Sequence, residues 1–205
     1  MKKDIWTLLI VSILWVFMKI IEYYFIMSLF LIPVFWWFGF SALLFIITAY
    51  QLIRLITERK KPSIIRIVKT LFYGLLFYLT FEVKIVAGII EKADWHILYQ
   101  KRMEIVEKVQ KGELNPNVSW NDYLCELPFE FPIVSMSGND IGISRNDSAQ
   151  TITVEFFVIR GMLSSSTFFI YSNDNETLKD FDTMTAENSK RNWKIRENWY
   201  RIVKD

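Results

Sequence analysis

One cysteine, Cys125, and one histidine, His96, are all that this chain of 205 residues offers for staples, transition-metal ligation or imidazole chemistry. A single thiol cannot form a disulfide within the chain, and no thiolate cluster can hold zinc. Any exported part must therefore be held by its own apolar core. A lone histidine reads as a packing or interfacial residue. Also missing are a phosphate-cradling glycine loop, a dinucleotide fingerprint and a recognisable pair of catalytic carboxylates. Ser164, Ser165 and Ser166 lack the Gly-x-Ser-x-Gly elbow and read as a hairpin turn. Asp180-x-Asp182 lacks the central glycine and closing glutamate of a calcium loop. No catalytic residue, cofactor or metal is expected, and the chain is not read as an enzyme.

What is present is 52% hydrophobic residues, too many for an ordinary soluble domain, and they are concentrated at one end. Residues 1–90 carry 10 basic and 4 acidic side chains, while residues 91–205 carry 14 basic and 18 acidic ones. The basic excess borders apolar runs, where cations hold short loops in the cytoplasm, and no nucleic-acid partner is expected. A membrane domain is expected over 1–90. Its spans are 5–25, 29–50 and 68–88, each near the 20 or so residues that a bilayer requires.

Lys2 and Lys3 before the first span, and Arg54, Arg59, Lys60, Lys61, Arg66 and Lys69 in the loop 51–69, place both regions in the cytoplasm. Three spans then leave 91–205 outside the cell membrane as an extracytoplasmic α+β domain. No small-x-small cleavage site follows the first span, so it is expected to remain. Lys19 with Glu22 and Glu82 with Lys84 fall in the outer third of the bilayer. They snorkel outward, or Lys19 pairs with Glu82 across helices and fixes the packing. Trp36 and Trp37 read as interfacial anchors.

From 91 to 111 the spacing of Trp95, Leu98, Tyr99, Met103, Val106 and Val109 is helical, and Gly112 supplies a stop. The third span is expected to continue into this helix, bending at Gly88, as one rod of about 66 Å from Val68 to Lys111. Beyond it, short apolar or β-branched segments at 123–127, 132–136, 141–144, 151–160 and 167–172, with a closing hairpin at 193–196 and 199–203, predict an antiparallel sheet of five to seven strands. Ile152, Val154, Phe156 and Val158 alternate with polar residues, so one face of that strand should be buried. The long helix is expected to pack on the sheet. Residues 173–188 read as a long polar loop carrying Asp174, Glu176, Asp180, Asp182 and Glu187, the candidate partner-binding residues, since exposed carboxylates steer basic partners.

The exported half resembles a known family. The helix ending Val106-Glu107-Lys108-Val109-Gln110-Lys111-Gly112, then Glu126-Leu127-Pro128, Phe156-Phe157-Val158-Ile159-Arg160-Gly161-Met162-Leu163, Phe169-Ile170-Tyr171-Ser172 and Asn198-Trp199-Tyr200, is similar to the TipC family of immunity proteins. The resemblance covers roughly 95–203. It implies protection of a Gram-positive bacterium against a secreted LXG protein toxin of the type VII route. Such a toxin attacks the cell-wall precursor lipid II at the outer membrane face. The resemblance implies neutralisation by binding, with no catalytic residue carried over. Typical members have one amino-terminal anchor, whereas this chain has three spans. The expected partners are the lipid bilayer and the toxin, and the sequence leaves the oligomeric state open. The alternative reading is a structural or assembly protein of a membrane complex or pilin-like surface assembly.

Overall fold

Apolar residues crowd the first eighty positions too densely for a single buried stripe, and the helices they form are apolar on every side. A computed structural model describes residues 2–25, 29, 31–58, 63–128, 133–136, 138–146, 148–161 and 165–204. The chain divides into two units, Met1–Ala93 and Asp94–Asp205.

In the first unit, α1 (Lys2–Phe25), α2 (Leu31–Thr57) and α3 (Ile64–Phe81) are each long and apolar enough to cross a membrane. Val11, Met18, Phe40, Leu44, Tyr73 and Leu76 form their shared core. Large side chains also face outward: Trp6, Phe35 and Leu71 are 65%, 71% and 68% exposed, which suits a lipid solvent and not water. Pro33 sits in the first turn of α2, where an amide hydrogen would have no helical partner. Lys69 bonds Asp4, and Arg66 bonds Glu58 at 2.7 Å, tying the start of α3 to α1 and to the end of α2. The side chains of Lys2 and Lys3, and residues Arg59, Lys60 and Lys61, lie outside the described residues.

The expected rod does not form. α3 ends at Phe81, and α4 (Val83–Gln110) starts after a break at Glu82, whose φ of −82° and ψ of 64° are not helical. Gly88, the expected bend, lies inside α4. The helix breaks where side chains of other helices take over the freed carbonyl of Thr80, as described below.

In the second unit, α4 runs on to Gln110 and is closed by Gly112 at φ 77°. The amide of Glu113 bonds the Lys108 carbonyl and that of Gly112 bonds Val109, a capping pattern that a left-handed residue permits. β1 (Leu124–Glu126), β2 (Asp140–Asn146), β3 (Thr151–Ile159), β4 (Ser166–Ser172), β5 (Trp193–Arg196) and β6 (Trp199–Lys204) form one antiparallel sheet in the order β1-β2-β3-β4-β6-β5. The last strand therefore inserts beside β4 and leaves β5 outermost. The β5–β6 turn is set by Asn198 at φ 62°.

Residues 133–136 make no strand. Asn139, at φ 72°, accepts the amides of Val134 and Ser135 with its side-chain oxygen, so these amides are withdrawn from any ladder. Pro132, Asp147, Met162, Leu163 and Ser164 lie outside the described residues.

Two helices cover opposite faces of β6. Trp199 meets Trp95 of α4, ring centroids 5.0 Å apart, and Tyr200 meets Phe181 of α5 (Asn175–Glu187) at 5.5 Å. On the α4 side Trp95, Leu98, Ile105, Val106 and Val109 are buried with Ile141, Val154, Phe156 and Phe169. Each such side chain contributes about 1.5–3 kcal/mol on leaving water. Cys125 is buried on the outer strand β1, 1% exposed, and burial pushes its thiol pKa up, with Asp140 and Glu126 adding to the shift.

β3 is buried on both faces, not one. Glu155, 5% exposed, accepts from Lys204 Nζ at 2.5 Å and from the Tyr123 hydroxyl, and Thr153 bonds Ser172 at 2.9 Å. Polar residues on alternate positions are thus buried with partners. Burial first, then the Glu155 charge and hydrogen bond, raises the Tyr123 pKa. The Tyr123 ring lies over Gly142, where a Cβ would stand 2.0 Å from its oxygen. Gly142→Ala is expected to displace that ring and cost about 1–3 kcal/mol. The check is thermal unfolding of the full chain in detergent, in which Tyr123→Phe should then add little to the Gly142→Ala background.

Candidate functional site

The sequence-derived candidates fall into two separate places, one in each unit. In the first unit they gather at Thr80, which is fully buried. Its carbonyl, released by the break at Glu82, accepts from Lys19 Nζ at 2.9 Å and from Trp37 Nε1 at 3.4 Å. Its hydroxyl accepts from Trp15 Nε1 at 2.9 Å and donates to the Leu76 carbonyl at 2.7 Å. One residue of α3 thereby takes donors from both α1 and α2. Lys19 Nζ also contacts Glu22 Oε2 at 2.7 Å and is 4% exposed. A cation at the carbonyl end of a helix is favoured by the helix dipole as well as by the hydrogen bond.

The cross-helix partner of Lys19 is the Thr80 carbonyl, not the Glu82 carboxylate that the sequence suggested. Glu82 instead accepts from the Tyr78 hydroxyl in the last turn of α3, and Lys84 is exposed on the first turn of α4. Trp37 packs on Phe81 with centroids 5.3 Å apart, so it joins helices in addition to any anchoring, while Trp36 stands edge-on to Phe17 at 6.1 Å. Sequence reasoning missed Thr80 and Trp15. The one available signal was a threonine in an apolar run two residues before a glutamate.

In the second unit, the segment expected as a loop is α5. Asp174 caps it, accepting from the Thr177 amide at 3.1 Å and its hydroxyl at 2.6 Å. The hydroxyl first, then the amide, holds the Asp174 carboxyl below its usual pKa range. Leu178, Phe181 and Thr185 recur at spacings of three and four and form the inner face, with Phe181 buried.

The five candidate carboxylates divide accordingly. Asp174 is spent on the cap. Asp182 accepts the Tyr200 hydroxyl at 2.7 Å and fastens the helix to β6. Glu176, Asp180 and Glu187 are exposed, and at 3.6 residues per turn they fall within an arc of about 40°, turned roughly 150° from the centre of the inner face of Leu178, Phe181 and Thr185. What the segment offers is a rigid acidic stripe pinned from behind.

Within the helix-and-sheet core, Arg102 is the other feature that sequence reasoning missed. It is 2% exposed, with Nη2 2.5 Å from Asp94 Oδ2 and Nε 3.0 Å from the Val134 carbonyl, and its guanidinium lies 5.0 Å from the Phe169 ring centre. This residue fixes α4 to the sheet and to 133–136. His96 is exposed on α4, and among the described residues no three His, Cys, Asp or Glu side chains stand together as a metal site.

No protein-family model, curated protein or solved structure matches the chain.

Proposed function

We propose that the chain is a multi-pass protein of a bacterial cell membrane with its amino terminus in the cytoplasm, and that Asp94–Asp205 is extracytoplasmic. In this reading it is an immunity protein that binds and neutralises a secreted protein toxin acting at the outer membrane face. Three outward-apolar helices support the anchoring, and the likeness of 95–203 to TipC-family sequences supports the role. Anchoring also confines the binder to the layer where the toxin works, which raises its effective concentration.

The observation that carries the reading is the stripe of Glu176, Asp180 and Glu187 on α5. Its side chains face water, and Phe181 and the Asp182–Tyr200 bond hold the helix behind them. Charges on a rigid element speed encounter with a basic partner and give up little freedom on binding.

The test is survival of cells exposed to an LXG-type toxin, taken from the gene's own neighbourhood if one is encoded there. Cells carry the wild-type chain or the variant Glu176→Gln, Asp180→Lys, Glu187→Lys. Glutamine is chosen at the first turn because a cation there would oppose the helix dipole. The variant is expected to lose protection and to bind the toxin about tenfold or more weakly at low salt. The reading is overturned if deleting the gene leaves sensitivity unchanged and the full chain in nanodiscs binds no such toxin.

A further inference from the structure

The acidic excess of the exported half is not shared by its last two strands. From 189 to 204 the chain carries six basic residues, Lys190, Arg191, Lys194, Arg196, Arg201 and Lys204, against the single acidic Glu197. Much of this charge flanks β5, the last strand in the sheet order, and among the described residues no strand pairs with its outer side. Such an edge presents backbone N–H and C=O groups in the spacing that another strand requires.

Cations on an edge can serve only to repel other strands, and for that purpose they extend into water. Here they are folded back onto rings. The Arg196 guanidinium lies 4.8 Å from the Tyr99 ring centre, that of Arg201 lies 4.4 Å from Trp193, and Lys194 Nζ lies 5.2 Å from Tyr200. A ring-stacked cation keeps N–H groups at its rim for an anion and has already lost the rotamer freedom that binding would cost.

The faces are also defined. Lys194 stands opposite Tyr200 and Arg196 opposite Trp199, with a register shift between them, so one cation flanks the strand on each face of the sheet. Successive side chains of an added strand likewise point to opposite faces. A second copy of β5 in this position would set Lys194 and Arg196 against the same cations, and like charges on paired strands oppose pairing.

We propose that the outer edge of β5 receives an extended acidic segment of a partner protein by strand addition, with neighbouring carboxylates meeting Lys194 on one face and Arg196 on the other. This surface is distinct from the α5 stripe, which selects for opposite charge, and either can fail without the other.

The test uses the full chain in neutral-lipid nanodiscs and a labelled eight-residue peptide of Thr and Val with Glu at its two central positions, followed by fluorescence anisotropy. Saturable binding is expected, about tenfold or more weaker for the same peptide with Lys in place of Glu and for the chain carrying Lys194→Gln and Arg196→Gln. Methylating alternate peptide nitrogens along one edge should remove binding. Equal binding of the methylated peptide would show a diffuse counter-ion surface and overturn strand addition. Absence of saturable binding overturns the proposal, as does displacement of the peptide by vesicles of anionic phosphatidylglycerol, which would assign the cations to lipid headgroups.

Discussion

Replacing Arg102 with methionine is expected to lower the stability of the helix-and-sheet unit by about 3–5 kcal/mol, the usual cost of breaking a buried ion pair from one side. The change strips the Asp94 carboxylate of a guanidinium 2.5 Å away and the Val134 carbonyl of its donor, and it removes a cation from the Phe169 ring. Against a total of about 5–15 kcal/mol for a domain, this is a large fraction. Thermal unfolding of the full chain in detergent should shift down by on the order of 10–20 °C. Arg102→Lys should recover only part, since an ammonium keeps the charge but not the fork that serves Asp94 and Val134 together. A shift of only a degree or two for the methionine variant would refute the role assigned to Arg102.

The second large effect is expected at Lys19. In a bilayer, Lys19→Met leaves Glu22 beside lipid without its cation and leaves the Thr80 carbonyl with Trp37 alone. An unsatisfied acid at that depth costs a few kcal/mol. A double-mutant cycle separates the contacts: Lys19 and Glu22 should couple by about 1–2 kcal/mol, and Lys19 and Glu82 by close to zero. Denaturation in a graded series of sodium dodecyl sulfate, followed by tryptophan fluorescence, supplies the four free energies. Strong Lys19–Glu82 coupling would contradict the geometry at Thr80.

Residue pattern alone located the apolar helices and most of the strands, because both signals are local. Continuous apolar runs can only be solvated by lipid or by one another, and the alternation in β3 marks a strand wherever it lies in the sheet. The same alternation misjudged burial. Glu155 and Thr153 occupy the positions of a wet face, yet Lys204, Tyr123 and Ser172 reach them from other strands and loops, and no periodicity within β3 encodes that. The break at Glu82 was hidden for a similar reason. Glycine is the local signal for a bend, and Gly88 carries it, but the helix is interrupted at Glu82, beside the Thr80 carbonyl that Lys19 and Trp37 reach. α5 was obscured by its composition. One buried phenylalanine among polar residues resembles a loop, and its cap pairs Asp174 with a threonine where the familiar pattern has a glutamate or glutamine.

The buried thiol of Cys125 has a practical consequence for mapping which side of the membrane each segment occupies. Its sulfur is inaccessible and, with a raised pKa, seldom in the nucleophilic thiolate form at neutral pH. Cysteines introduced one at a time at exposed positions such as Lys190 or Ser63 can therefore be interrogated with an impermeant maleimide on intact cells while the native residue stays silent. If Cys125 itself begins to react, the label reports that strand β1 has come away from the sheet.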